Sequence, residues 1–199
     1  MSFVGSNILA GASGQGGDAG YKIERSLRFN SADSAYLNRT PSAAGNRKTW
    51  TWSCWIKRNN LSSGQNIFVG SDNPTKNNTT FSAFYFHPDN NIYFGGWNSS
   101  YIITNAVYRD ASAWYHIVLS VDTTQSTSTD RIKVYVNNVL QSYSTGAGFP
   151  GQNTDLGINQ AYPHYIGGND PASGYASHMY ADVHFIDGQA LAPTDFGET

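Results

Sequence analysis

The sequence predicts an all-β protein: two antiparallel sheets packed as a sandwich, preceded by an extended Gly-rich N-terminal arm. Three observations lead there. Between Trp114 and Leu140, two runs of strict apolar alternation are joined by a polar tract, the pattern of a long β-hairpin. Short alternating runs recur along the rest of the chain, with turn signals between them. No run of helical period exceeds a turn or two, apart from Pro193 to Phe196.

Taken in order, residues 1–20 form the arm and residues 21–199 the folded domain. The arm carries two short apolar pieces, Phe3-Val4 and Ile8-Leu9, followed by a Gly, Ala and Ser tract without periodicity. These four residues are the expected anchor on a partner; the alternative is an arm folded back on its own sheet. Strands follow at Ile23–Phe29 and Ala35–Arg39, then at Thr49–Lys57, which holds Trp50, Trp52 and Trp55. Cys54 alternates with Trp52 and Ile56, the position of a buried thiol, and as the only cysteine it excludes an intrachain disulfide. After Asn66–Gly70 comes a polar loop from Asp72 to Thr80. Phe81–Phe86 and Ile92–Phe94 make a hairpin around Pro88-Asp89-Asn90-Asn91. Gly95–Ser100 reads as a loop and Tyr101–Thr104 as the next strand.

In the central hairpin Tyr115, Ile117, Leu119 and Val121 share one row, and Trp114, His116, Val118 and Ser120 the other. The return run places Ile132, Val134 and Val136 inward and Lys133 and Tyr135 outward. The connection Thr123–Thr129, all Ser, Thr and Gln, projects into solvent. Asn137-Asn138 turns the chain tightly, because Asn tolerates left-handed backbone. Gln141–Thr145 continues a strand, Gly146–Asn159 is a long Gly-rich loop, Tyr165–Gly167 is a short strand, and Tyr175–Ile186 closes the sheet.

Charged residues make up 13% of the chain, against about 25% in an ordinary soluble domain, so amides and hydroxyls carry the solubility. A net charge of −2 argues against nucleic acid as a partner, since counterion release needs clustered Lys and Arg. The pairs Arg47-Lys48 and Lys57-Arg58 read as two solvated strand ends. No basic stretch leads into a long apolar run, so neither a signal peptide nor membrane insertion is expected.

Four segments carry a resemblance, in order along the chain. They are Ser26-Leu27-Arg28-Phe29 with Ala35-Tyr36-Leu37, Thr51 to Lys57, the central hairpin, and Tyr180 to Leu191. Together they resemble the laminin-G-like jelly rolls of the concanavalin A-like lectin/glucanase superfamily over roughly Arg25 to Phe196. The resemblance implies a jelly-roll sandwich and brings sugar binding, sugar hydrolysis and a calcium site into consideration. The arm, Ile23 to Leu37 and Asp182 to Glu198 further resemble virion proteins of tailed phages.

Hydrolysis of the glucanase type needs two carboxyls about 5 Å apart, and the family pattern is Glu-x-Asp-x-x-Glu. The two glutamates here, Glu24 and Glu198, lie at opposite ends of the chain. Asp182 and Asp187, five apart on a strand, fall on opposite faces. An enzyme is therefore not expected. No cofactor is expected either; for a structural calcium the candidate oxygens are Asp72-Asn73, Asp89-Asn90-Asn91 and Asn169-Asp170, each equally suited to an Asx turn. Of the histidines, His178 and His184 have the same parity and could share a face.

Trp97 stands apart from the strand tryptophans, in a glycine-flanked polar loop. An indole beside Asn and Ser offers a flat apolar face with polar partners, which suits a sugar. The expected ligand site is Trp97, Asn98 and Tyr101, joined from other loops by Tyr162, His164 and Tyr175. The alternative is that Trp97 folds over the sheet edge as a lid.

The expected function is a non-enzymatic structural protein of the virion, of tail-fibre, spike, head-fibre or decoration type. Its partners are other virion subunits and copies of itself, and its jelly roll meets host glycan. A free-standing carbohydrate-binding module is the alternative, and a glycoside hydrolase comes last.

Overall fold

The computed structural model describes residues 23–61, 63–72, 75–144, 148–168 and 174–197. The arm, with Phe3, Val4, Ile8 and Leu9, lies outside the described residues. Twelve strands form the domain: β1 (Leu27–Arg28), β2 (Leu37–Arg39), β3 (Thr49–Arg58), β4 (Gln65–Ser71), β5 (Phe81–Phe86) and β6 (Ile92–Gly96), then β7 (Ser99–Ile103), β8 (Trp114–Asp122), β9 (Ile132–Val136), β10 (Val139–Leu140), β11 (His164–Ile166) and β12 (His178–Asp187). They make two six-stranded sheets, β1-β12-β3-β8-β9-β10 and β2-β11-β4-β5-β6-β7, the antiparallel jelly-roll sandwich expected. Short 3-10 turns are the only helical pieces among the described residues, and none is long or apolar enough to cross a membrane.

The central hairpin has the anticipated register, pairing Ile117 with Val136, Leu119 with Val134 and Val121 with Ile132. All six side chains are buried between the sheets. Asn137 and Asn138 both take positive φ, 49° and 66°, as a two-residue turn between right-twisted strands requires. Across the core Trp52 lies flat on Phe68, with centroids 4.1 Å apart, and Trp50 meets Phe94 edge-on at 5.9 Å. Cys54 is buried as expected, and burial pushes its thiol up to about 12.

Five expectations are corrected. The outer row of β8 is not solvated: His116, Val118 and Ser120 are buried. The chain after β12 lies along this face, where Thr51 Oγ1 donates to Gln189 O (2.7 Å) and accepts from Leu191 N (2.8 Å). Arg58 is no solvated strand end. Its guanidinium is buried over the Phe86 ring at 4.2 Å and donates to Tyr108 O (2.6 Å) and Asn90 Oδ1 (3.0 Å). The first strand is shorter than anticipated, since only Leu27 and Arg28 of the run Ile23–Phe29 pair, with Tyr180 and Met179.

The fourth correction is a bulge in β12. Ala181 faces Trp55 but His184 faces Ser53, so two residues oppose Cys54, and Asp182 takes φ 47° there. Parity therefore reverses along the strand. His178 points inward against Phe86 (5.5 Å), whereas His184 points outward to Phe196 (5.7 Å), so the two do not share a face. With the bulge ahead of Asp187, simple alternation does not govern how Asp182 and Asp187 are placed. Asp187 accepts from Asn46 N (2.8 Å) and Asn159 Nδ2 (2.7 Å). Finally, Gly95–Ser100 is not a loop. β6 runs to Gly96, β7 begins at Ser99, and only Trp97 and Asn98 make the turn.

Two predictions follow from the core. Val134→Asp should cost about 3–5 kcal/mol or prevent folding, because it buries an unpaired carboxylate in the layer between the sheets. Lys133→Asp, on the outer row, should shift the thermal midpoint far less; equal shifts would show the register wrong by one.

His178 generates the second. Burial, and then the nearby Arg58 guanidinium, hold its imidazole down to about 3, and its ring nitrogens have no hydrogen-bond partner among the described residues. The unfolded chain takes up this proton near the ordinary value of about 6.5, the folded chain only near 3. The stability associated with neutral His178 is thus complete above pH 6.5 and is lost as pH falls from there toward 3. Urea titrations at pH 7, 5.5 and 4.5 should show this decline, and His178→Leu should flatten it by about 1.4 kcal/mol per pH unit. An unchanged slope in the variant would assign the decline to other groups.

Candidate functional site

Alternation on β5 and β6 decides which side chains leave the core. Phe84, Phe86, Ile92 and Phe94 are buried between the sheets, so Phe81, Ala83 and Tyr85 on β5 and Tyr93 on β6 fall on the opposite, outer face. There a groove of about 440 Å³ is lined by Phe81, Tyr85, Tyr93 and Trp97, with Asn66, Asn98, Ser99 and Ser100 as its polar groups. Register places Tyr85 directly opposite Tyr93, their rings 5.2 Å apart. His87 extends the row, stacked on Tyr93 at 5.2 Å.

At the other end of the groove Trp97 stands edge-on to Phe81, with centroids 5.4 Å apart and planes at 81°. Its indole is 41% exposed, so it is both packed at one edge and open to solvent. It is neither a free platform nor a closed lid. The Lys76 ammonium lies 5.4 Å from the indole and 5.7 Å from Phe81, a cation–π contact with both rings. Gly95 is required where it stands, since a Cβ there would collide with the Ser99 carbonyl oxygen.

Polar groups are held in place around these rings. Ser100 Oγ bonds Tyr93 Oη (3.0 Å), and Asn78 Nδ2 donates to Ser99 Oγ (2.9 Å). Burial, and then Tyr93, push the Tyr85 phenol up to about 12, so it remains a neutral hydrogen-bonding group at ordinary pH. The described lining contains no carboxylate.

Of the expected site residues, Trp97 and Asn98 line this groove. Tyr101 does not. The β6–β7 register shifts at this residue, Gly95 pairing with Ser100 but Phe94 with Ile102, and Tyr101 is buried, 6.0 Å from Phe94. Tyr162 and His164 lie elsewhere, bracing the chain before β11. Asn159 N donates to His164 Nε2 (2.9 Å), which leaves Nδ1 to donate to Tyr162 O (2.8 Å), while Tyr162 Oη donates to Gly157 O (3.1 Å). Tyr175 joins the same outer face from its far side, 6.0 Å from Tyr36, which in turn meets Tyr165 at 5.8 Å. Tyr85, Tyr93 and Phe81 were missed although their signal was present: they alternate with the inward phenylalanines.

Three of the calcium candidates make hydrogen bonds within the protein. Asp72 Oδ2 accepts from Thr75 Oγ1 (2.9 Å), Asn90 Oδ1 from Arg58, and Asn91 Nδ2 donates to Thr104 O (2.7 Å). No group of three or more His, Cys, Asp or Glu gathers among the described residues. Asn73, Asn169 and Asp170 lie outside them.

Substituting Trp97 by Ala should lower stability by about 1 kcal/mol, the size of one aromatic edge contact, a shift of roughly 2–4 °C in Tm for a domain of this size. A loss near 3 kcal/mol, as for aromatics enclosed in a packed core, would make Trp97 a structural lid.

Comparison with known proteins places this geometry. A family profile described as the concanavalin A-like lectin/glucanases superfamily matches residues 29–194. No curated protein matches the chain. Among solved structures, domain 4 of the extracellular GH43 arabinanase AbnA from Geobacillus stearothermophilus, determined in complex with arabinotriose, has a TM-score of 0.62 at 18% identity. The alignment covers 92% of this chain and 82% of that one. A heptameric SAP-like pentraxin from Limulus polyphemus has a TM-score of 0.59 at 16% identity, over 86% of this chain and 79% of that one. Trypanosoma rangeli sialidase matches with a TM-score of 0.52 at 14% identity over 75% of this chain, which corresponds to 22% of that protein's length. These likenesses are of fold.

Proposed function

The chain belongs to the concanavalin A-like lectin/glucanases superfamily, and from that premise we propose that it is a non-catalytic carbohydrate-binding module. Its ligand lies across the outer face of β5 and β6, between Trp97 and Tyr93. The observation that carries this reading is the presence in one groove of two aromatic pairs, Phe81–Trp97 and Tyr85–Tyr93, together with amide and hydroxyl groups. Pyranose and furanose rings present apolar C–H faces ringed by hydroxyls, and such a surface takes both halves of that chemistry. Phe81 and Tyr85 are four residues apart on one strand, about 14 Å, the length of a short oligosaccharide rather than one sugar. The absence of a carboxylate in the described lining supports binding over hydrolysis there, because a hydrolase needs an acid and a second carboxylate beside the scissile bond. The arabinanase domain seen with arabinotriose supports the same ligand class.

The finer reading is that this module is displayed on a virion. Its support is the resemblance of Ile23 to Leu37 and Asp182 to Glu198 to tailed-phage virion proteins. Mass spectrometry of purified particles tests it, and absence of the chain from them would refute it.

For the glycan reading the measurement is an array of neutral oligosaccharides, followed by titration calorimetry on the best ligand. Trp97→Ala and Tyr93→Ala should each weaken binding at least tenfold while the domain stays folded at the assay temperature. Tyr135→Phe, on a strand of the opposite sheet, should bind like the wild type. Undiminished binding by both groove variants would refute this site.

A further inference from the structure

A second concavity lies along the open side of the sandwich, where the two sheets diverge. Two adjoining hollows of about 450 and 770 Å³ share Leu37, Ile166 and Val183 in their walls. The floor is the apolar layer itself, with Trp52, Phe68 and Phe185 reaching it from between the sheets. Its rim carries large apolar side chains left in solvent: Leu27 (50% exposed), Leu37 (49%) and Val183 (37%). Beside it runs an open backbone edge. β1 pairs only with Met179 and Tyr180, so from Ala181 to Asp187 β12 has a strand partner only on its β3 side among the described residues.

We propose that residues 3–9 of this chain occupy the cleft as an extended segment alongside that edge of β12. Three features select this occupant. The chain enters at the right place, since Arg25, Ser26 and Leu27, the residues that follow the arm, line the cleft. The pattern suits a slot bounded by a sheet on either side: an extended segment puts Phe3 and Leu9 on one row and Val4 and Ile8 on the other, so both rows are apolar. The reach also suits. Residues 10–22, a Gly-rich link of 13 residues, can reach at most about 45 Å. The seven residues from Ala181 to Asp187 cover about 23 Å. Such a tether holds the segment at an effective concentration in the millimolar range. The same residues on a separate particle or a second copy lack that advantage. The added backbone hydrogen bonds and apolar anchors are those of strand addition to an exposed sheet edge. The inference is independent of the glycan reading, and it assigns the four apolar residues of the arm to their own domain rather than to a particle.

Hydrogen exchange on the free full-length protein tests it, with wild type compared to Phe3→Ser/Ile8→Ser. Those amides of residues 182–187 that point away from β3 should lose at least tenfold protection in the variant, while amides paired with β3 keep theirs. Equal protection in both proteins would overturn the proposal, and it is the outcome expected if the segment docks only on a particle. A second measurement pairs Ile8→Cys with Val183→Cys under mild oxidation, Cys54 being buried. An intrachain disulfide supports the cleft; disulfide dimers alone would assign it to a second copy and overturn the assignment in cis.

Discussion

The apolar layer between the two sheets is the constraint on which everything else in this molecule rests. Trp52 flat on Phe68, Trp50 edge-on to Phe94 and the row Ile117, Leu119 and Val121 fill it from both sides. Such a layer fixes register absolutely, because a one-residue slip on any strand would exchange its buried and solvent rows. The pairings of β3 with β8 and of β8 with β9 satisfy it without a bulge. The buried Arg58 and His178 mark where the layer meets polar chemistry. The guanidinium is accommodated by carbonyl acceptors and the Phe86 face, and the imidazole by staying neutral.

The outer aromatic face follows from that inner requirement. With Phe84, Phe86 and Phe94 committed to the layer, the intervening Tyr85 and Tyr93 must face away from it, and pairing of β5 with β6 brings them opposite one another. The two-residue turn at Trp97-Asn98 then holds the indole against Phe81. An aromatic face built this way sits on paired strands, so its rings are held by the same hydrogen-bond ladder that holds the core.

Register also shifts within the β4–β5 and β6–β7 pairs, but the bulge that shapes the side where the sheets part is the one in β12. The bulge at Asp182-Val183 turns Val183 into solvent and reverses parity for the rest of the strand, carrying His184 outward and Phe185 into the layer. A regular strand would have kept alternation unbroken from His178 to Asp187. The cleft beside it exists because β1 stops after two residues, leaving the rest of that edge without a described strand.

Much was fixed by local pattern alone. Period-two alternation determined the fold class, the inner row of the central hairpin and the burial of Cys54, and Asn137-Asn138 determined its turn, because these depend only on residues near one another in the chain. The candidate groove was legible in part: Trp97 and Asn98 line it, while Tyr101 is buried outside its lining. Gly95-Gly96 reads locally as a loop, but those glycines belong to a strand pressed against the Ser99 backbone. Only the tertiary structure could decide that, along with the bulge in β12, the cover over the outer row of β8 and the burial of Arg58. Each depends on which distant segment packs against a strand, and a strand's own alternation carries no record of what lies beyond its face or its edge.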